Sequence, residues 1–352
     1  MNSLHERPGV YSVYDTSSVV SGGRAVQAIG VAAKAARGAA EKPVTVTGYA
    51  AGAAAFGEDQ TAGMNILLRL LFAGGASTVT AVRVADEGTV EDYERAFAAL
   101  WKDDVRGLGC DSGDEAVQQA LRSAVESASA LRRERIAVVG CDGAGVTELI
   151  ARAEALNSER MVLVGPDALD SGGNPLSGVF AAAAVAALAA AGGDPAVPLN
   201  GAELKGLGGL SQDYGDNEID LLVRGGVTPL ECVAGTVSPV RGITTRTKTG
   251  GVSDPSWREL TTTLIVDDVI PAVRSALRSR FSRSKNTARN RAAIRSQVIV
   301  ELEKKLAAEI IAGYDGVTVT ASADDPTVCL VEFGFSVAYG LNQVRLTVHI
   351  EL

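Results

Sequence analysis

Apolar residues recur along this chain at two spacings, and the spacing shifts where the architecture should shift. After a Pro8-Gly9 break, Val10-Tyr11-Ser12-Val13-Tyr14 alternates at period two, which predicts a strand with one apolar face; the polar stretch Asp15-Thr16-Ser17-Ser18 follows. A lone strand of this kind must pair, in its own sheet or in a neighbour's. Further β-rich segments are expected at 25–33, 42–47 and 77–85. Between them, a helix at 63–72 turns Leu67, Leu68 and Leu71 inward and stops at Gly74-Gly75.

From residue 89 to 191 helices and strands take turns. A helix over 89–101 precedes the segment 104–110; Ser112 and Glu115 then form an S-x-x-E capping box that opens a helix to about residue 133. Strand 135–140, helix 146–156, strand 161–165 and an alanine-rich helix over 179–191 complete the series. Strands separated by helical crossovers predict a largely parallel sheet covered on both faces.

Beyond Pro195 and Pro198 the pattern loosens into a Gly-rich region with β segments expected around 219–223 and 240–247. The last third reads differently: helices at 267–281 and 287–312, then strands at 317–321, 329–338 and 344–352. The fold class is therefore α/β plus α+β. Residues 1–20 form an N-terminal arm, 21–240 an α/β domain with a largely parallel sheet, and 241–352 a C-terminal α+β domain completed by terminal-arm strands. No internal repeat is visible.

Composition narrows the function without naming one. The 352 residues are 46% hydrophobic but only 5% aromatic, so the core must be built from small aliphatic side chains on closely packed elements. A formal charge of −9 argues against general nucleic-acid binding, which needs a surplus of Lys and Arg. Cys110, Cys141, Cys232 and Cys329 form no CxxC pair and read as reduced thiols. The N-terminus lacks an apolar leader, and Val179 to Ala191 is short of the roughly 17 to 25 residues that a membrane span needs, so cytoplasmic synthesis without membrane insertion is expected.

Catalytic and cofactor chemistry find little purchase. Histidine occurs only at His5 and His349, which makes a His-based catalytic centre or zinc site an unpromising reading. In a parallel α/β sheet ligands bind beyond the strand ends, here Cys110-Asp111, Cys141-Asp142-Gly143 and Gly165-Pro166-Asp167. No GxxxxGK[ST] is present, and Gly107-Leu108-Gly109 with Gly113 has the wrong spacing for a dinucleotide loop. No cofactor, metal or small-molecule substrate is expected.

One segment reverses the sign of the chain. Between Asp268 and Glu301 stand Arg274, Arg278, Arg280, Arg283, Lys285, Arg289, Arg291 and Arg295 without an acidic residue. Val273, Leu277 and Phe281 mark the inward stripe of the first helix, and Ile294, Val298, Leu302 and Leu306 that of the second. Arg274 with Arg278, and Arg291 with Arg295, are thereby stacked one turn apart, where like charges repel by a few tenths of a kcal/mol per pair. Two readings stand: a solvated basic face, or the seat of an acidic partner.

Six features in order resemble the contractile tail sheath family of phages and phage-tail-like particles. They are Arg7-Pro8-Gly9-Val10-Tyr11; Ala28-Ile29-Gly30-Val31-Ala32 with Gly38 and Pro43-Val44-Thr45-Val46-Thr47; Phe56-Gly57 with Leu71-Phe72-Ala73-Gly74-Gly75 and Ala81-Val82-Arg83-Val84; Pro198-Leu199-Asn200-Gly201; Val240-Arg241-Gly242-Ile243-Thr244-Thr245; and the terminal two-helix and strand module. The length is similar to that of small sheaths of simple myophages and R-type bacteriocins.

The resemblance implies a structural subunit of a virion tail or phage-tail-like particle, and not an enzyme. Stacked rings of it would surround an inner tube and contract to drive the tube through a cell envelope. The implied partners are further copies of the chain, the tail tube protein, and baseplate and tail terminator proteins. Terminal arms in that family add strands to neighbouring subunits, which makes Val10, Tyr11, Val13 and Tyr14, and Val344, Leu346, Val348 and Ile350, the candidate inter-subunit residues. The C-terminal domain would sit next to the tube, so Arg274, Arg278, Arg291 and Arg295 are the candidate tube contacts. The competing readings are a nucleotide-binding α/β enzyme, a nucleic-acid-binding assembly protein, and a tube or other tail protein.

Overall fold

Short aliphatic strands buried on both faces pack side by side, and they organise the first two thirds of the chain. The computed structural model describes residues 28–343. The parallel strands are β1 (Ala28–Ala33), β3 (Thr78–Arg83), β4 (Gly107–Cys110), β5 (Ile136–Gly140), β6 (Met161–Gly165) and β10 (Val227–Val233). Two antiparallel edges, β2 (Pro43–Val46) and β11 (Thr236–Pro239), complete an eight-stranded sheet in the order β11-β10-β6-β5-β4-β1-β3-β2.

Alternation sorts each strand between two cores. Ile136, Val138, Val162 and Val164 face α1 (Tyr49–Phe56), α2 (Gly63–Ala73) and α6 (Gly178–Ala191). Ala137, Val139, Met161 and Leu163 face α3 (Val90–Ala99), α4 (Glu115–Ala130), α5 (Val146–Leu156) and α7 (Asp216–Arg224). Small residues let the layers approach: a Cβ on Gly140 would collide with the Gly178 carbonyl where α6 crosses the end of β5. Beside the sheet, β7 (Ala168–Asp170), β8 (Pro175–Leu176) and β9 (Leu207–Leu210) make a small separate sheet, and β12 (Lys248–Thr249) pairs with β13 (Val252–Ser253).

The C-terminal part is built from α8 (Leu260–Phe281), α9 (Ala288–Ala307) and the antiparallel pair β14 (Ile311–Ala321) and β15 (Cys329–Val337). Its core joins Ile265, Val269, Val273 and Leu277 to Val298, Leu302, Val317 and Phe335. Helix α8 belongs to both halves, because Leu260 at its start lies in the core of the α/β layers. Among the described residues no helix is long and apolar enough to cross a membrane.

The structure bears out the mixed class and the largely parallel sheet, and corrects several elements. Residues 219–223 are not a strand but lie in α7, opened where Glu218 accepts the Gly215 N–H (2.9 Å). Residues 240–247 form an extended link with a single bridge, Ile243 to Glu259, and Thr245 N donating to the Met161 carbonyl (2.8 Å). The strands of this region are β10 and β11, joined through Ala234 and Gly235, both at positive φ. Helix α8 starts at Leu260, earlier than expected, because its β-branched first turns are buried all round; α9 ends at Ala307, before the expected 312.

The cap of α4 is also different. Asp114, not Ser112, is the N-cap: its Oδ1 accepts from Ala116 N (2.8 Å) and Val117 N (3.2 Å), while Ser112 Oγ accepts from Asp114 N (3.2 Å). Asp114→Ala should therefore lower stability by about 1 kcal/mol, and Ser112→Ala by clearly less, measured by chemical denaturation.

Candidate functional site

The crest of the parallel sheet is where ligands bind in such folds, and here the chain's own carboxylates occupy it. Asp111, at the switch point between β4 and β1, accepts from Tyr93 Oη (2.6 Å) and Lys34 N (2.9 Å). Helix α2 begins so close above it that a Cβ on Gly63 would overlap the Asp111 carboxylate. Burial pushes the Asp111 carboxyl above its ordinary range, against those hydrogen bonds, and raises the Tyr93 hydroxyl as well. Asp167 accepts from Gly143 N (2.8 Å) and Gly178 N (2.6 Å), and Asp142 is bonded to the α6 cap Ser177. Backbone N–H groups that elsewhere receive a phosphate are thus consumed internally. Among the described residues no group of His, Cys, Asp and Glu is arranged to hold a metal.

Strand edges give the opposite picture. Both edges of the eight-stranded sheet are four residues long and carry a proline, Pro43 in β2 and Pro239 in β11, which blunts them against further pairing. The C-terminal pair is longer, eleven residues in β14 and nine in β15, with no proline in either strand. Among the described residues no third strand joins this sheet. Its inner face, with Ile311, Val317, Phe335 and Val337, is buried against α8 and α9; its outer face shows Thr318, Thr320, Leu330 and Glu332. Strand β14 is interrupted by irregularities near Gly313 and after Asp315, whereas β15 runs unbroken. An extended chain meeting β15 would find a regular strand edge to which, among the described residues, no further strand is paired.

The four arginines singled out in the sequence separate on inspection. Arg274 points into the protein, where its part-buried Nη2 donates to Oε1 of the buried Glu134 at 2.8 Å. Arg278 is exposed on the same helix. Arg291 Nη1 donates to Asn286 Oδ1 (2.9 Å), and Arg295 Nε to the Val317 carbonyl (2.8 Å), so both brace α9 against its surroundings. None of Arg278, Arg283, Lys285, Arg289, Arg291 and Arg295 forms an ion pair among the described residues. Val10, Tyr11, Val13 and Tyr14, and Val344, Leu346, Val348 and Ile350, lie outside the described residues.

Comparison with known proteins settles what carries these surfaces. Residues 86–245 match the phage tail sheath protein central domain, and residues 252–351 the phage tail sheath C-terminal domain. The chain belongs to the phage tail sheath family. It is 29% identical over 237 residues to the tail sheath protein of Bacillus phage SP01, across 66% of this chain; it spans 40% of that protein's length. The crystal structure of the sheath tail protein from Desulfitobacterium hafniense shares its fold with a TM-score of 0.71 at 13% identity, covering 94% of this chain and 100% of that one. The PVC sheath complex of an extracellular contractile injection system, in the contracted state, gives a TM-score of 0.71 at 14% identity over 100% and 99% of the two chains.

In this sheath-family chain the sequence reading missed how the two halves are joined. Arg106, Glu134 and Arg160 stand at the starts of the adjacent strands β4, β5 and β6 and face α8. Arg160 pairs with Asp267, both buried; Arg106 Nη1 donates to the Asp267 carbonyl (3.2 Å); Arg274 takes Glu134. Burial drives the Glu134 carboxyl upward, but the hydrogen bond and charge of Arg274 outweigh it, and the group titrates below its ordinary value. The partners are 107 to 161 residues apart, beyond the reach of any spacing argument. Pro271 inside α8 was the one local sign. Removing one member of a buried pair takes away much of the compensation of the other's charge, so Glu134→Ala and Asp267→Ala should each cost about 3 to 5 kcal/mol in denaturant unfolding. Arg278→Glu, on the surface, should change stability by less than about 1 kcal/mol.

Proposed function

We propose that this protein is the structural subunit of a contractile sheath, polymerising as stacked rings around an inner tube and contracting to drive the tube through a target envelope. The observation that carries the proposal is the contrast between the blunted edges of the large sheet and the long, proline-free β14–β15 pair, in a chain whose family is the tail sheath. Residues 10–14 and 344–352 supply alternating segments of the right character to extend that pair in neighbouring copies. A strand that forms about five backbone hydrogen bonds at roughly 0.5 to 1.5 kcal/mol net each contributes several kcal/mol. Repeated over a closed lattice, such contacts become effectively permanent.

We assign the subunit no catalytic role: contraction of a metastable polymer needs a trigger and no fuel. Its partners are further copies of itself, the tail tube protein, and the baseplate and terminator at the two ends. Assembly takes place in the bacterial cytoplasm, and the product is a virion tail or phage-tail-like particle. The division at about residue 240 separates an outer α/β domain from a tube-proximal one.

Arg278, Arg291 and Arg295, with Arg283, Lys285 and Arg289, form the basic face offered to the tube; Arg274 is committed to Glu134. Arg278 is the cleanest probe because it is exposed and, among the described residues, makes no side-chain bond that reversal would break. Arg278→Glu should leave monomer stability unchanged yet weaken assembly onto purified tubes, and wild-type assembly on tubes should weaken with salt, since exposed charges are screened over about 8 to 10 Å. Tube-templated assembly indifferent to both would return this segment to a solvated face. Deleting residues 1–14 should leave a folded monomer that builds no long polymers, as seen by negative-stain microscopy; normal sheaths from that variant would sink the strand-exchange reading.

A further inference from the structure

Beyond β15 the chain continues as Ala338-Tyr339-Gly340-Leu341-Asn342-Gln343, and alternate residues are tied down. Ala338 N donates to the Ile310 carbonyl (3.3 Å). Gly340 lies against the Pro198 ring, so that a Cβ there would come within 2.8 Å of Pro198 Cγ. Asn342 Oδ1 accepts from Asn200 Nδ2 at 2.8 Å. The Pro198-Leu199-Asn200-Gly201 motif is thus a strap, and it is itself fixed: Leu199 is buried in the α/β core and Gly201 N donates to the Pro239 carbonyl (3.0 Å).

The residues between the tied ones are left bare. Tyr339 is 80% exposed and Leu341 75% exposed, and Val197, the residue before the Pro198 that Gly340 meets, is 58% exposed. Scattered surface apolar residues need no explanation, but here an aromatic and a leucine are held side by side on a braced backbone. Side chains already positioned by a rigid support lose less freedom on association than those on a free segment.

We propose that Val197, Tyr339 and Leu341 form a docking patch for a second copy of this chain. Three features favour a second copy over another occupant. The patch stands within three residues of Val344, where the segment read as a donated strand begins, so a neighbour engaged by that strand is brought onto it. Residues 338–343 carry no charge, which suits contact between copies that each bear a formal −9. The strap also ties the patch to the α/β layers, so docking sets the whole subunit and not the terminal segment alone. This inference rests on the sheath reading of the chain.

The test compares wild-type protein with Tyr339→Ser/Leu341→Ser by sedimentation, reading the concentration at which polymer appears, with thermal unfolding of dilute monomer as the control. Loss of two buried apolar side chains from a contact should raise that concentration about tenfold or more, with the monomer transition unchanged. A photo-crosslinking residue at position 339 should join two copies in polymer and react with solvent in dilute monomer. If the double variant polymerises within about twofold of wild type, or if the crosslink forms to residues 344–352 of the same chain in monomer, the patch is wrong and the sheath reading stands. If wild-type protein forms no polymer at any concentration, the sheath reading itself falls and takes the patch with it.

Discussion

A proline inside a helix has no N–H to give to the carbonyl four residues before it, so Pro271 leaves the main-chain oxygen of Asp267 without its helical partner. In this protein Arg106 takes that oxygen, while Arg160 takes the carboxylate of the same residue. One position of α8 is thereby bonded through backbone and side chain to the starts of two strands in the α/β sheet. The β14–β15 pair and the basic face are thereby joined to the sheet through this helix, with the strap at Pro198 and Asn200 as a second tie beyond β15. The placement of the C-terminal surfaces relative to the α/β layers follows from what happens at Asp267 and, two turns on, at Arg274.

Among the described residues, open strand edges are distributed unevenly between the two parts. In the α/β layers the sheet ends in short proline-bearing edges, and the carboxylates of Asp111, Asp142 and Asp167 engage backbone and hydroxyl groups at the crest. The C-terminal pair is joined by no third strand among the described residues and has a buried apolar face behind it. A saturated body with an unsaturated appendage associates through the appendage, because there the exchange of water for protein partners is least opposed by packing that must first be undone.

Much of the fold was legible because its signal is local. Strand 161–165 and helix 146–156 appear with the expected bounds, each being a short run whose period is unambiguous. Helix α1, Tyr-Ala-Ala-Gly-Ala-Ala-Ala-Phe, escaped notice because small residues give almost no contrast between faces. Helix α7 read as a strand because Ile219, Leu221, Leu222 and Val223 fit either period over so short a window. The first turns of α8, rich in Thr, Ile and Val, carry the composition of a strand and are helical because tertiary burial overrides propensity. The candidate site was legible in kind and not in detail. Charge counting found the basic segment, yet it could not separate Arg274, whose partner lies 140 residues away, from Arg278, which faces solvent.

Ionic pairing at the junction is hard to justify by energy alone, since burying two charges costs about as much as their attraction returns, and well-packed apolar residues often do better. What directed bonds add is uniqueness of register. Apolar stripes on a 22-residue helix tolerate a slip of one turn, because another aliphatic residue arrives at much the same place. Asp267 and Arg274 do not tolerate it: a one-turn slip carries Asp267 away from Arg160 and Arg274 away from Glu134. A helix that belongs to two cores gains more from excluding such alternatives than from a slightly deeper minimum, because an angular error at α8 would misplace the whole C-terminal pair relative to the α/β layers.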